Sequence, residues 1–120
     1  RGGTNRMADC IFCKIIAKQI PVSPVYDNAA AIVIRDNNPQ APVHLLAMPK
    51  KHYAGIHEVP PAEASLFSDL FAVIGKAVEL ENLKEYGYRL VVNFGEKTGQ
   101  SVPHIHVHIL SGRPMHWPPG

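Results

Sequence analysis

The sequence predicts an α+β domain built on a mainly antiparallel sheet. Three observations carry that prediction. Residues 104–110 (HIHVHIL) alternate histidine with aliphatic side chains, the period-two pattern of a strand. Leu66, Phe67, Leu70, Phe71, Ile74, Ala77 and Val78 follow the i, i+3, i+4 spacing of one long amphipathic helix. Several short apolar, β-leaning segments lie before that helix and two lie after it. An order of helix, strands, long helix and two strands is that of an α+β fold.

The elements follow in chain order. Residues 10–20 (CIFCKIIAKQI) suit a short helix with Phe12, Ile15 and Ile16 on one side, ended by Pro21. Val25 and Tyr26 form a short strand that turns at Asp27-Asn28. Residues 30–34 and 44–48 are further strands, separated by the turn-rich Asp36-Asn37-Asn38-Pro39 and closed by Pro49. Pro60-Pro61 opens the long helix, with Glu63 at its positive end, and Gly87 marks its exit. Residues 88–93 (YRLVVN) are a strand. Residues 95–99 turn, and the histidine strand returns beside it as a hairpin with a loop of about ten residues. Residues 111–120 (SGRPMHWPPG) contain three prolines and form a tail that cannot be helical.

Composition narrows the class. With 120 residues, 46% hydrophobic and 18% charged, the chain suits one soluble domain. Residues 1–6 (RGGTNR) precede Met7 and read as an expression-tag remnant; residues 7–120 are then a single domain with a Pro-rich tail. Setting aside Arg1 and Arg6 leaves 10 Lys+Arg against 10 Asp+Glu, so no basic surplus points to a nucleic-acid polymer. No apolar run approaches the ~20 residues of a membrane span, and the start is polar, so a cytoplasmic protein is expected. Cys10 and Cys13 form a Cys-x-x-Cys, which in that compartment signifies metal binding or redox chemistry rather than a structural disulfide.

The chemistry centres on His104, His106 and His108. On a strand they share one face while Ile105, Val107 and Ile109 face a core, and imidazoles hold or move protons near neutral pH. Three readings are open at this level. One histidine is a nucleophile toward phosphorus, with backbone N–H groups of the Gly99–Ser101 turn near the phosphate. Alternatively the row binds a catalytic zinc, although the strand carries no acidic residue to support one. Or the chain is a non-enzymatic adaptor with pH-sensitive surface histidines.

These residues resemble the histidine-triad (HIT) family, whose signature is His-x-His-x-His-x-x with hydrophobic x. Residues 10–16, 36–42, 44–52 (HLLAMPKKH), 87–93 (GYRLVVN), 99–110 and 112–120 (GRPMHWPPG) resemble its Hint branch, the purine nucleoside phosphoramidases. The resemblance implies a five-stranded antiparallel sheet with one long and one short helix, and a homodimer that joins two sheets into one. It implies hydrolysis at the α-phosphate of purine nucleoside phosphoramidates or aminoacyl-adenylates, releasing a nucleoside monophosphate. A HIT-fold binding or regulatory dimer with incidental turnover is the alternative.

Carried onto this chain, the resemblance makes His106 the nucleophile and His108 its neighbour on the phosphate. His44 reaches the same cluster from an adjacent strand. Asp36 takes the ribose hydroxyls, as a carboxylate accepts from a diol. Asn93 is a substrate-binding amide. Gly99, Gln100 and Ser101 form the phosphate and leaving-group loop, with Ser101 assisting the departing amine. Phe12 and Ile15 line the base pocket. Some bacterial members hold a structural zinc through residues matching Cys10, Cys13, His52 and His104; His104 would then orient the triad indirectly. No organic cofactor is implied. The tail with Trp117 approaches the partner's site. Two positions depart from the branch: Asn37 replaces an aliphatic residue beside the purine, and Pro103 replaces an aromatic before the triad.

Overall fold

A computed structural model describes residues 9–120; the segment read as a tag remnant lies outside them. The elements are α1 (Ile11–Ile16), β1 (Tyr26–Asp27), β2 (Ala31–Arg35), β3 (Val43–Pro49), α2 (Ser65–Leu80), β4 (Tyr88–Val92) and β5 (Val107–Ser111). The five strands form one antiparallel sheet in the order β1-β2-β3-β5-β4. The long helix and the short one pack on opposite faces. Val73, Ile74 and Ala77 of α2 cover Val33, Leu45, Ala47, Val107 and Ile109. Phe12 of α1 covers Ile32, Ile34, Leu46 and Met48. Alternation along each strand therefore serves two buried faces, which is why β2 and β3 read as unbroken apolar runs.

Several boundaries differ from the sequence reading. Helix α1 ends well before Pro21. Its last carbonyls are taken by Lys18 N–H to Ile15 O (3.0 Å) and Gln19 N–H to Lys14 O (2.9 Å), with Lys18 at φ 63°. That is a Schellman closure, and it stops the helix without proline. At the other end Cys10 is the N-cap, its Sγ accepting from Cys13 N–H. Strand β1 begins one residue later than expected, and Asn28 Oδ1 accepts from Ala30 and Ala31 N–H to make the turn into β2.

The Pro60-Pro61 pair opens a short 3-10 turn, Pro61–Glu63, before α2 proper. Glu63 does not serve the helix end alone. Its carboxylate accepts from Tyr53 Oη–H at 2.7 Å and pairs with Lys51. In α2 the buried stripe is Leu70, Val73, Ile74, Ala77 and Val78. Phe71 is 54% exposed, because it lies one step around the helix from that stripe. The exit runs through Asn82 at φ 55°, and Gly87, at φ +100°, introduces β4 rather than closing the helix.

The final hairpin is present, with Val92 opposite Val107 and Tyr88 opposite Ser111. Its loop is longer than expected because residues 104–106 precede β5. Their backbone is engaged elsewhere: Ile105 N–H donates to Tyr53 O at 2.7 Å, and His104 N–H to Val102 O at 2.8 Å.

Candidate active site

The predicted histidine row divides. Ile105, Val107 and Ile109 do face the α2 core. The three imidazoles lie on the α1 side but do two different jobs. His104 turns toward the cysteines, while His106 and His108 stand beside His44, with ring centroids 5.0 Å (His106–His108) and 5.1 Å (His44–His108) apart.

Backbone groups set the proton positions. Gln40 N–H donates to His44 Nδ1 at 3.0 Å, so neutral His44 carries its proton on Nε2. That Nε2–H points at His108 Nδ1 (2.9 Å) and lies 3.3 Å from Asp36 Oδ2. His108 Nδ1 must therefore accept, and its own proton sits on Nε2. His106 donates Nδ1–H to the carbonyl of His104 at 2.7 Å, which leaves the Nε2 lone pair free of its proton. The centre thus offers one nucleophilic nitrogen, on His106, beside one N–H donor, on His108.

Burial favours the neutral forms this scheme needs. Desolvation lowers the pKa of His106, opposed by the His104 carbonyl and Asp36. Desolvation also lowers that of His44, opposed by Asp36. His108 falls to about 4, through burial first and then the neighbouring His106 and His44.

The other expected residues are placed as follows. Asp36 flanks His44, and its Oδ1 accepts from Asn38 N–H at 2.8 Å in an Asx turn. Asn93 lies close to Gly99, whose φ of +99° suits a glycine; a Cβ there would come 4.0 Å from Asn93 Nδ2. Ser101 is exposed at the loop's end. The Gln100 amide, implied to face the substrate, joins two backbone segments: it donates to Ala54 O at 2.9 Å and accepts from Gly95 N–H at 3.0 Å. Phe12 presents its ring against His106 (centroids 5.0 Å) and His104 (5.9 Å). Ile15 is half-buried beside the same cluster. Sequence reading gave no role to Gln40 N–H or the carbonyls of Pro49 and His104. They are main-chain groups, and no side-chain pattern announces them.

The remaining ligand set is a compact group. His104 Nε2–H donates to Pro49 O at 2.8 Å, which turns a bare Nδ1 toward Cys10 Sγ (3.5 Å), Cys13 Sγ (3.6 Å) and His52 Nδ1 (3.1 Å). Cys13 Sγ lies 3.2 Å from His52 Nδ1, and all four donor atoms fall within 4.8 Å of one another. A tetrahedron with zinc bond lengths has edges of about 3.3–3.8 Å, so these residues fit a divalent metal of that kind. Burial and the adjacent Cys10 push the Cys13 thiol up to about 12, and a bound cation would reverse that cost by stabilising the thiolate. Asp36, His44 and His108 also converge. There the proton on His44 Nε2 occupies the ligand position, so that group is a hydrogen-bond relay.

The HIT domain family model matches residues 17–115. The chain belongs to the HIT domain family. An uncharacterized HIT-like protein of Synechococcus elongatus is 42% identical over 112 residues, covering 93% of this chain and 97% of that protein. A HIT-like protein of Synechocystis is 43% identical over 114 residues, with the same coverage. Among solved structures, a HIT family hydrolase from Legionella pneumophila superposes with a TM-score of 0.88 at 45% identity, over 93% of this chain and all of that one. A HIT family hydrolase from Clostridium thermocellum gives 0.86 at 40% identity, over 90% of this chain and 94% of that one. This HIT protein thus shares its fold with hydrolases, and its triad stands on β5 and the residues just before it.

Proposed function

We propose that this HIT protein hydrolyses nucleotides at the α-phosphate through a covalent nucleotidyl-histidine, in the manner of the Hint branch. The observation that carries the reading is the tautomer of His106: Nδ1–H held by the His104 carbonyl at 2.7 Å, Nε2 left as the nucleophile. His106 Nε2 attacks the α-phosphorus of a purine nucleoside phosphoramidate or aminoacyl-adenylate. The bond from phosphorus to the amine or carboxylate breaks as the bond from His106 Nε2 to phosphorus forms; the amine takes a proton drawn from solvent through the Ser101 hydroxyl, and the carboxylate leaves as the anion. His108 Nε2–H and the Ser101 amide stabilise charge on the phosphoryl oxygens, while the Gly99 and Gln100 amides, donating to Glu96 O and Gly95 O, hold the shape of the loop. Asp36 takes the ribose diol, and Asn93 the sugar–phosphate junction. Water then cleaves the N–P bond, releasing the nucleoside monophosphate and restoring His106.

In this reading Cys10, Cys13, His52 and His104 hold zinc. Once bound, zinc supplies a closed structural tether rather than a reactive water. The working unit is a cytoplasmic homodimer that binds neither membrane nor nucleic-acid polymer. Among the described residues, no helix is long and apolar enough to cross a membrane. β4 is a sheet edge whose Tyr88 and Val92 are each 48% exposed, which suits joining to a second sheet.

Acid-free quenching of a reaction with an adenosine phosphoramidate, followed by peptide mass spectrometry, tests the mechanism. An adenylyl adduct on His106 is expected, and His106→Gly should abolish turnover while keeping nucleoside monophosphate binding. An adduct on His104 or His108 would reassign the nucleophile. Tight nucleotide binding without turnover would favour the regulatory dimer.

A further inference from the structure

A second concavity lies beside the end of α1. It encloses about 390 Å³ between the end of α1, residues 18–24 and the β1–β2 edge. That volume is in the range of small-molecule sites. Ile16, Ile20, Val22 and Ile32 give it an apolar side. None of the triad, His44, Asp36, Asn93 or the 99–101 loop lines it; of the residues placed in the nucleotide site only Ile15 is shared.

Three charged side chains complete the lining: Lys18, Asp27 and Lys50. Lys50 Nζ is held by Asp27 Oδ1 at 2.6 Å, so this pair is neutral. Lys18 has no ion-pair partner among the described residues. Its backbone is also unusual. Lys18 fills the left-handed position of the α1 Schellman closure, at φ 63°, where glycine is the favoured residue. A lysine there costs helix-end stability, and among the described residues no ion pair offsets that cost. Its ammonium at the rim of the concavity supplies a use for the residue that the fold itself does not.

We infer that this concavity binds a small amphiphilic carboxylate, its apolar body among Ile16, Ile20, Val22 and Ile32 and its single charge on the Lys18 ammonium. Charge selects the class. A dianionic phosphate would face one free cation and the Asp27 carboxylate, whereas a monoanion with a hydrocarbon body matches one ammonium above one apolar side. This site is independent of the nucleotide reading and of any metal.

Octanoate is a suitable probe. Titrated into isotope-labelled full-length protein, it should saturably shift the amide resonances of Ile16, Ile20, Val22 and Ile32, with affinity in the millimolar to high-micromolar range. Octylammonium should bind at least ten-fold more weakly. Lys18→Gly keeps the helix end, since glycine suits that φ, and should weaken octanoate three- to ten-fold while octanol binding stays unchanged. Adenosine monophosphate at saturation should leave the octanoate isotherm in place. Absence of saturable shifts, equal binding of octanoate and octylammonium, or undiminished binding by Lys18→Gly would each overturn the inference. Displacement of octanoate by adenosine monophosphate would also overturn it, by making the concavity part of the nucleotide site.

Discussion

Replacing His44 tests the relay most directly. His44 is 6% exposed and makes two directional bonds, accepting from Gln40 N–H and donating to His108 Nδ1. His44→Ala leaves a backbone donor and an imidazole acceptor without partners. Each such group costs roughly 1–3 kcal/mol, so a loss of roughly 2–6 kcal/mol in urea unfolding is expected. Two further variants separate the bonds. Asn places its carbonyl near the position of Nδ1 and keeps the Gln40 bond. Gln places its amide near the position of Nε2 and keeps the donation to His108. Both should recover about half of the lost stability, but only Gln should hold the His108 proton on Nε2. With a phosphoramidate substrate, His44→Gln should therefore retain at least ten times the kcat of His44→Asn, a difference of about 1.4 kcal/mol in barrier. Equal kcat for Asn and Gln would refute the tautomer argument. An Ala variant within about 0.5 kcal/mol of the parent would refute the burial argument, since that is the scatter of neutral surface changes.

Other outcomes follow from the same geometry. Purified protein should carry about one zinc per chain by elemental analysis, and Cys10→Ser combined with Cys13→Ser should lower Tm proportionately more than kcat; loss of activity in strict proportion to zinc removal would make the metal catalytic instead. His108 binds its proton only near pH 4 when folded but near 6.5 when unfolded, so the unfolded chain takes up more protons between those values. Its contribution should therefore be constant above about pH 6.5, decline as pH falls toward 4 and level off below; His108→Gln should flatten that part of the urea-midpoint profile, and an unchanged slope would contradict the buried neutral form. Truncation after Gly112 removes Trp117, which is 83% exposed. If the proposed dimer holds, the shortened chain should still run as a dimer by light scattering but change kcat/KM unequally across leaving groups; identical ratios would place the tail outside the site.

Much of this was legible in the sequence because it depends on side-chain pattern. The period-two run of residues 104–110 placed Ile105, Val107 and Ile109 in the core, and the spacing in α2 placed Leu70, Ile74 and Ala77 there. The four members of the thiol–imidazole group were legible through resemblance, and they do converge. What pattern did not reveal came from the main chain. The start of β5 was displaced because Ile105 N–H bonds Tyr53 O instead of a strand neighbour. The end of α1 was misplaced because a lysine took a position that composition assigns to glycine. Gln100 has the residue type of a substrate ligand, yet its amide is engaged by Ala54 and Gly95.

The sheet order has a consequence for how activity is acquired during folding. Because β3 lies between β2 and β5, the contacts that join the two halves of the centre are remote along the chain. His44 meets His108 across 64 positions, His104 meets Pro49 across 55, and Cys10 meets His104 across 94. Closing loops of that length is entropically uphill before the contacts are made, and such pairings form late. A chain with α2 and the β2–β3 hairpin already formed would have much of its local structure and no oriented His106, since the carbonyl that holds its Nδ1–H is itself positioned only when residues 104–106 dock on Tyr53 and Pro49. Recovery of the proposed activity after dilution from denaturant should thus follow the slowest spectroscopic phase, and a chain still lacking its last strand would hold no partly assembled imidazole centre.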